Sequence, residues 1–122
     1  VLLGTGVDII RISRIQATLD RYGERFLSRV FTPSEIAYCR RKRDPAPSLA
    51  ARFAAKEACF KALGGTRRPA WRDMEIVNQE SGKPVIRLHG RMAAAHRGVR
   101  AMAALSHDGD MAIATVVAET EK

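Results

Sequence analysis

The chain has 122 residues, 46% of them hydrophobic, and its 21 Lys and Arg against 13 Asp and Glu give a net charge of +8. That size suits one compact domain spanning residues 1–122, and the charge suits an anionic partner: nucleic acid, an acidic protein surface or a phosphorylated small molecule. The two cysteines suggest neither a disulfide framework nor a metal site, no apolar run nears the ~20 residues of a membrane span, and no signal-peptide pattern is visible; a cytoplasmic enzyme or binding protein is the expectation.

Residues 1–10 read as a strand. Asp8, between Val7 and Ile9, is the odd residue there, because carboxylates are depleted from strands and need a partner. It is either a cap for the helix that follows or a metal ligand. Gly4 and Gly6 leave room for another backbone or a ligand to come close. Next comes a helix with Ile12, Ile15, Leu19 and Tyr22 as its apolar stripe and Gly23 as its end. Arg14, Thr18, Arg21 and Arg25 share another face of this region. Most charge runs are solvated faces, and one this rich in arginine and poor in acid is at least as readily a docking surface for an acidic partner.

The second helix opens on a capping box: Thr32 as N-cap, Pro33 at the first helical position, Glu35 three residues on, with Phe31 and Ile36 placed for a hydrophobic staple. We read it as a folding signal without chemistry. This helix ends through the exposed run Arg40-Arg41-Lys42-Arg43, and residues 44–47 are expected to be a loop. The central helix covers residues 52–64, stopped by Gly64-Gly65. Leu49, Phe53, Phe60 and Leu63 form its apolar stripe, yet Lys56 falls inside that stripe and Glu57 and Lys61 lie along its edge. Glu57 and Lys61 can be a routine pair four residues apart, or part of a site.

After Gly65 the pattern changes. Residues 66–72 form a loop with the single Trp; residues 74–77 and 84–88 pair around Glu80-Ser81-Gly82; residues 89–98 make a short helical segment. Residues 99–105 and 111–117 form a last hairpin around Asp108-Gly109, with Ser106 and His107 where it turns. The architecture is α+β: an N-terminal strand, a block of helices and antiparallel strands packed on the long central helix. Asp8 and Glu57 would then meet. Two neighbouring carboxylates suit Mg²⁺, which keeps waters and takes phosphate oxygens, and Lys56, Lys61, Arg52 and His107 would supply positive charge for those phosphates.

These residues resemble the holo-acyl-carrier-protein synthases, the short bacterial 4'-phosphopantetheinyl transferases, from end to end. The likeness rests on Gly6-Val7-Asp8, on Phe31-Thr32-Pro33-Ser34-Glu35, on Arg52-Phe53-Ala54-Ala55-Lys56-Glu57-Ala58 with Lys61, and on Gly82-Lys83-Pro84 and Ser106-His107. The departure is Gly64-Gly65-Thr66, where many members read glycine-threonine-glycine. The resemblance implies the family's transferase fold and transfer of 4'-phosphopantetheine from coenzyme A to a serine of apo-acyl carrier protein, releasing adenosine 3',5'-bisphosphate, in fatty acid biosynthesis. By the same resemblance Asp8 and Glu57 are Mg²⁺ ligands. Lys61 neutralises phosphate charge and assists the leaving group. Arg52, Gly82, Lys83, Pro84, Ser106 and His107 hold the nucleotide. Arg14, Arg21 and Arg25 face the carrier protein, and Glu57 or a metal-bound water takes the serine proton. The family's short members are homotrimers with shared sites. The rival reading, a small basic nucleic-acid-binding protein, accounts for the charge but not for Asp8 and Glu57 in apolar settings.

Overall fold

The computed structural model describes residues 1–65 and 68–121. Strand β1 (Leu2–Arg11) leads into helices α1 (Ile12–Tyr22), α2 (Glu24–Val30), α3 (Pro33–Arg40) and α4 (Pro45–Ala62). A single 3-10 turn, Trp71–Asp73, then precedes β2 (Met74–Asn78), β3 (Pro84–Leu88), the short helix α5 (Gly90–Ala95), β4 (Val99–Asp108) and β5 (Met111–Thr120). The strands form one antiparallel sheet in the order β1-β5-β4-β3-β2, so the first strand closes onto the last.

Helix α4 lies across this sheet, chiefly over β1 and β5. The expected stripe is only partly its core face: Leu49 is buried, but Phe53, Phe60 and Leu63 are half-buried at an edge. Alanines make the contact instead, with Ala50, Ala54, Ala55 and Ala58 fully enclosed against Ala112, Ala114, Val116 and Ala118 of β5. Small side chains on both surfaces let helix and sheet approach closely. Gly4 and Gly6 carry this furthest: a Cβ on Gly6 would stand 1.9 Å from the Ala58 carbonyl oxygen, and one on Gly4 2.3 Å from that of Ala62. The glycines are there to admit the helix backbone.

Several boundaries differ from expectation, each for a local reason. Gly23, at φ 53°, ends α1 and caps α2, so Arg25 belongs to a separate helix from Arg14 and Arg21. Tyr22 is about half exposed and stands outside the core. Residues 44–47 are no loop: Asp44 caps α4 by accepting from the Ala46 N–H at 3.2 Å, and Pro45 takes the first helical position, where its missing N–H costs nothing. Ser106 and His107 lie within β4, paired with Ile113 and Ala112. Nor does Asp8 cap α1. Asp110, from the β4–β5 turn, accepts from the Ser13 N–H at 2.8 Å and its hydroxyl at 2.6 Å. Thr66 of the departing glycine motif lies outside the described residues, and among those described no helix is long and apolar enough to cross a membrane.

Candidate active site

Because side chains alternate along β1, Gly4, Gly6, Asp8 and Ile10 face α4 while Leu3, Val7 and Ile9 face away. The close approach at the two glycines therefore brings α4 directly over Asp8. Lys61 donates to the Asp8 carboxylate at 3.2 Å and to the Val7 carbonyl at 3.0 Å. Glu57, one helical turn earlier, joins them: burial pushes its carboxyl up, the Asp8 charge pushes it further, and Lys61 and Arg14 pull the other way. Glu57 and Lys61 are thus more than an intrahelical pair. Among the described residues no salt bridge joins the two, and Lys61 spends its charge on Asp8.

Two half-buried carboxylates side by side, with the Asp8 charge adding to the burial of Glu57, form a donor set for a hard cation. No cluster of three or more His, Cys, Asp and Glu side chains occurs among the described residues, so the protein offers no closed cage. A metal that takes few protein ligands and keeps its waters fits that set.

A second feature lies on the other flank of α4. A pocket of about 470 Å³ opens between α3, the start of α4, the β2–β3 turn and the end of β4. Arg52, Gly82, Pro84, Ser106 and His107 all line it, as do Tyr38, Ser48 and Asn78, which sequence reasoning did not single out. Arg52 is the centre of its chemistry. Its guanidinium stacks 4.1 Å from the Tyr38 ring centroid, bonds the Asn78 side chain and lies within 3.5 Å of the Ser48 hydroxyl. Its Nε is buried without a partner, which leaves a largely desolvated cation with an unused donor beside the pocket. Lys42 and Arg43 from the basic run stand at the same pocket, so that run is more than a solvated helix end. Lys83 lies outside the lining, exposed on the turn, its own N–H 3.4 Å from the Ser81 hydroxyl.

Asp8, Glu57 and Lys61 are absent from this lining. On a helical wheel Glu57 and Lys61 stand roughly 140–180° round α4 from Arg52. One chain therefore presents the acid cluster and the Arg52 pocket on opposite flanks of the same helix.

Lys56 is a correction. It was expected among the phosphate-holding cations, but its side chain is 0% exposed and all its donors are engaged: Glu35 Oε1 at 2.9 Å, the Trp71 carbonyl at 2.9 Å and the Met74 carbonyl at 2.7 Å. Burial lowers its pKa while Glu35 pulls it back up. Glu35 in turn accepts from the Thr32 N–H at 2.9 Å and the Ile76 N–H at 2.8 Å. The capping-box glutamate is thus the hub that ties α3, α4 and β2 together. Both cysteines are buried and free, and burial pushes both thiols up, that of Cys59 to about 12, which disfavours the thiolate.

The profile of the 4'-phosphopantetheinyl transferase superfamily matches residues 4–116. Holo-[acyl-carrier-protein] synthase of Koribacter versatilis (strain Ellin345) is 41% identical over 98% of this chain and 99% of its own length. The chain belongs to the holo-acyl-carrier-protein synthase family. Within that family, the Herpetosiphon aurantiacus synthase is 49% identical over 95% of this chain and 98% of its own. Among solved structures, the Helicobacter pylori synthase in complex with coenzyme A superposes with a TM-score of 0.83 at 35% identity, covering 94% of this chain and 99% of that one. The fold is the family's, and the chain is a phosphopantetheinyl transferase.

Proposed function

We propose that this chain transfers 4'-phosphopantetheine from coenzyme A to a serine of apo-acyl carrier protein, with Mg²⁺ as cofactor, in fatty acid biosynthesis and in the cytoplasm. The observation that carries this reading is the meeting of Asp8, Glu57 and Lys61 where β1 and α4 touch. The serine oxygen attacks the phosphorus that carries pantetheine, and the P–O bond to the nucleotide breaks. Adenosine 3',5'-bisphosphate leaves and the serine proton is given up. Asp8 and Glu57 would hold Mg²⁺, which supplies positive charge to the pyrophosphate oxygens. Lys61, already fixed at 3.0 Å by the Val7 carbonyl, meets the charge that develops on the leaving phosphate. Lys61 pairs with Asp8, and Glu57 is the cluster's other carboxylate, the one we assign to take the serine proton. Arg52, with its unused Nε, binds a phosphate of the nucleotide, and Tyr38 and Asn78 hold its plane in place.

The two flanks of α4 work together only if neighbouring copies adjoin. Beyond β1 and β5 the sheet face away from α4 is apolar and open: Val7 is 52% exposed, Ile9 57% and Ile113 38%. We assign this face to a homotrimer contact that sets one subunit's acid cluster against another's Arg52 pocket. Arg14, which pulls on Glu57, together with Arg21 and Arg25 presents the cationic approach for the acidic carrier protein. The test of the reaction is mass spectrometry of an apo-carrier protein incubated with this chain, coenzyme A and Mg²⁺. A gain of the phosphopantetheine mass supports the reading; an unmodified carrier overturns it.

A further inference from the structure

A further basic surface continues outward from Arg25, the last of those three arginines. Tyr22 and Phe26 line a groove of about 700 Å³ whose walls carry Arg25, Arg29 and Arg72. Arg29 and Arg72 also line an adjoining hollow of about 580 Å³, which adds Arg68 and Arg91. The single acid there, Asp73, is occupied, accepting from the Arg91 N–H at 3.0 Å. The Arg91 guanidinium donates to the Arg68 carbonyl at 3.2 Å, which holds those two residues together. Among the described residues no salt bridge engages any of the five arginines. Guanidinium groups crowded without carboxylates repel one another, and an anionic partner relieves that repulsion.

This surface joins the candidate active site through packed rings. Phe53 lies one turn before Glu57 on α4, and its ring is 6.4 Å from that of Phe26 and 5.3 Å from that of Trp71, centroid to centroid. The groove therefore begins roughly 10–15 Å from Glu57, about the span of a two- to three-turn helix. We propose that it receives a second acidic segment of the carrier protein, so that the carrier is held at two points: Arg14 and Arg21 near the reacting serine, and Arg29, Arg68, Arg72 and Arg91 farther off. This rests on the carrier-protein reading given above. Phe26, Phe53 and Trp71 pack on one another and the Arg21 guanidinium lies over Tyr22 at 5.3 Å, so these rings are engaged within the chain and do not form a series for stacking bases.

The test is Arg72→Glu, alone and with Arg91→Gln, in the full chain. The apparent KM for the carrier should rise at least ~5-fold for the single variant, while the KM for coenzyme A and kcat at saturating carrier stay within ~2-fold. Titration calorimetry against a carrier whose modified serine is replaced by alanine should weaken by the same factor, and the gap between wild type and variant should narrow with salt. Arg72→Ala, the milder change, should give a smaller rise in the same direction if charge reversal disturbs the 3-10 turn. An unchanged carrier KM in the Arg72 variants, alongside a rise for Arg14→Glu/Arg21→Glu, overturns the second docking point and leaves the first intact. No rise in either set overturns carrier docking on this face altogether. Loss of oligonucleotide binding with an unchanged carrier KM overturns the proposal in favour of nucleic acid.

Discussion

Gly6→Ala is the most informative single change, because it tests whether helix-to-strand contact builds the site. The added Cβ would sit 1.9 Å from the Ala58 carbonyl oxygen, where ordinary contact starts at 3.4 Å. The obstacle is backbone, so no side chain can swing aside, and α4 has to lift from β1 by roughly 1.5 Å. Such overpacking costs about 1–3 kcal/mol, a fall in Tm of roughly 3–15 °C for a chain of this size. The effect on rate should be larger. Lys61 and Asp8, now 3.2 Å apart, would separate beyond hydrogen-bond reach, and Glu57 would withdraw from Asp8 on the same rigid helix. A shift of this size in a preorganised site lowers kcat/KM at least ~100-fold. The assay is carrier modification followed by mass spectrometry at a temperature well below the variant's Tm, with thermal unfolding monitored by circular dichroism. A Gly6→Ala protein that is folded and retains wild-type kcat/KM would refute the idea that this contact sets the site.

Asp8→Asn and Glu57→Gln should each lower turnover at least ~100-fold while the fold survives; normal transfer by either at limiting Mg²⁺ rules out a shared metal. Because burial and Asp8 hold the Glu57 carboxyl above its ordinary value of 4.5, Glu57 gains its proton earlier as pH falls. Apparent Mg²⁺ affinity should therefore decline on the acid side with an inflection above 4.5, and Asp8→Asn should move the Glu57 titration, followed by carboxyl NMR, downward. Lys56→Met strands Glu35 in the core and should cost about 3–5 kcal/mol in urea unfolding, whereas Lys56→Met with Glu35→Gln should recover part of it; additive losses would deny the pair. Arg14→Glu/Arg21→Glu should raise the carrier KM and leave that for coenzyme A nearly unchanged, and a change confined to coenzyme A would make these arginines a solvated face. Light scattering should show a trimer, and a stable, active monomer at low micromolar concentration would contradict that assembly.

The features legible in the sequence were those whose signal is local. Thr32, Pro33 and Glu35 announce a helix start in four residues, and the structure has both reciprocal bonds of the capping box. Asp8 and Glu57 stood out because acids in apolar surroundings are costly, and that cost is visible without coordinates. What stayed hidden depends on partners far along the chain. The fate of Lys56 is decided by Glu35, Trp71 and Met74. Its apolar setting marked it as unusual, but a buried structural cation and a phosphate ligand look alike in one dimension. Asp110 as the cap of α1 closes across 97 residues, so the nearer Asp8 was the natural candidate. Two prolines hid the start of α4, since Pro45 and Pro47 read as loop until Asp44 is seen capping them. Tyr38 and Asn78 carried no signal, because an aromatic on a helix and an amide at a strand end are commonplace.

The placement of Arg52 and Glu57 on opposite flanks of α4 has a genetic consequence. In the proposed trimer a subunit lacking Asp8 still contributes a sound pocket to its neighbour, and a subunit lacking Arg52 still contributes a sound acid cluster. Two inactive variants, Asp8→Asn and Arg52→Ala, would therefore complement each other when their chains are mixed and reassembled. If subunits assort at random from an equal mixture, roughly a quarter of the contacts join two intact halves, and that fraction of wild-type activity should return. A cell carrying both defective alleles would keep a working enzyme that neither allele alone encodes.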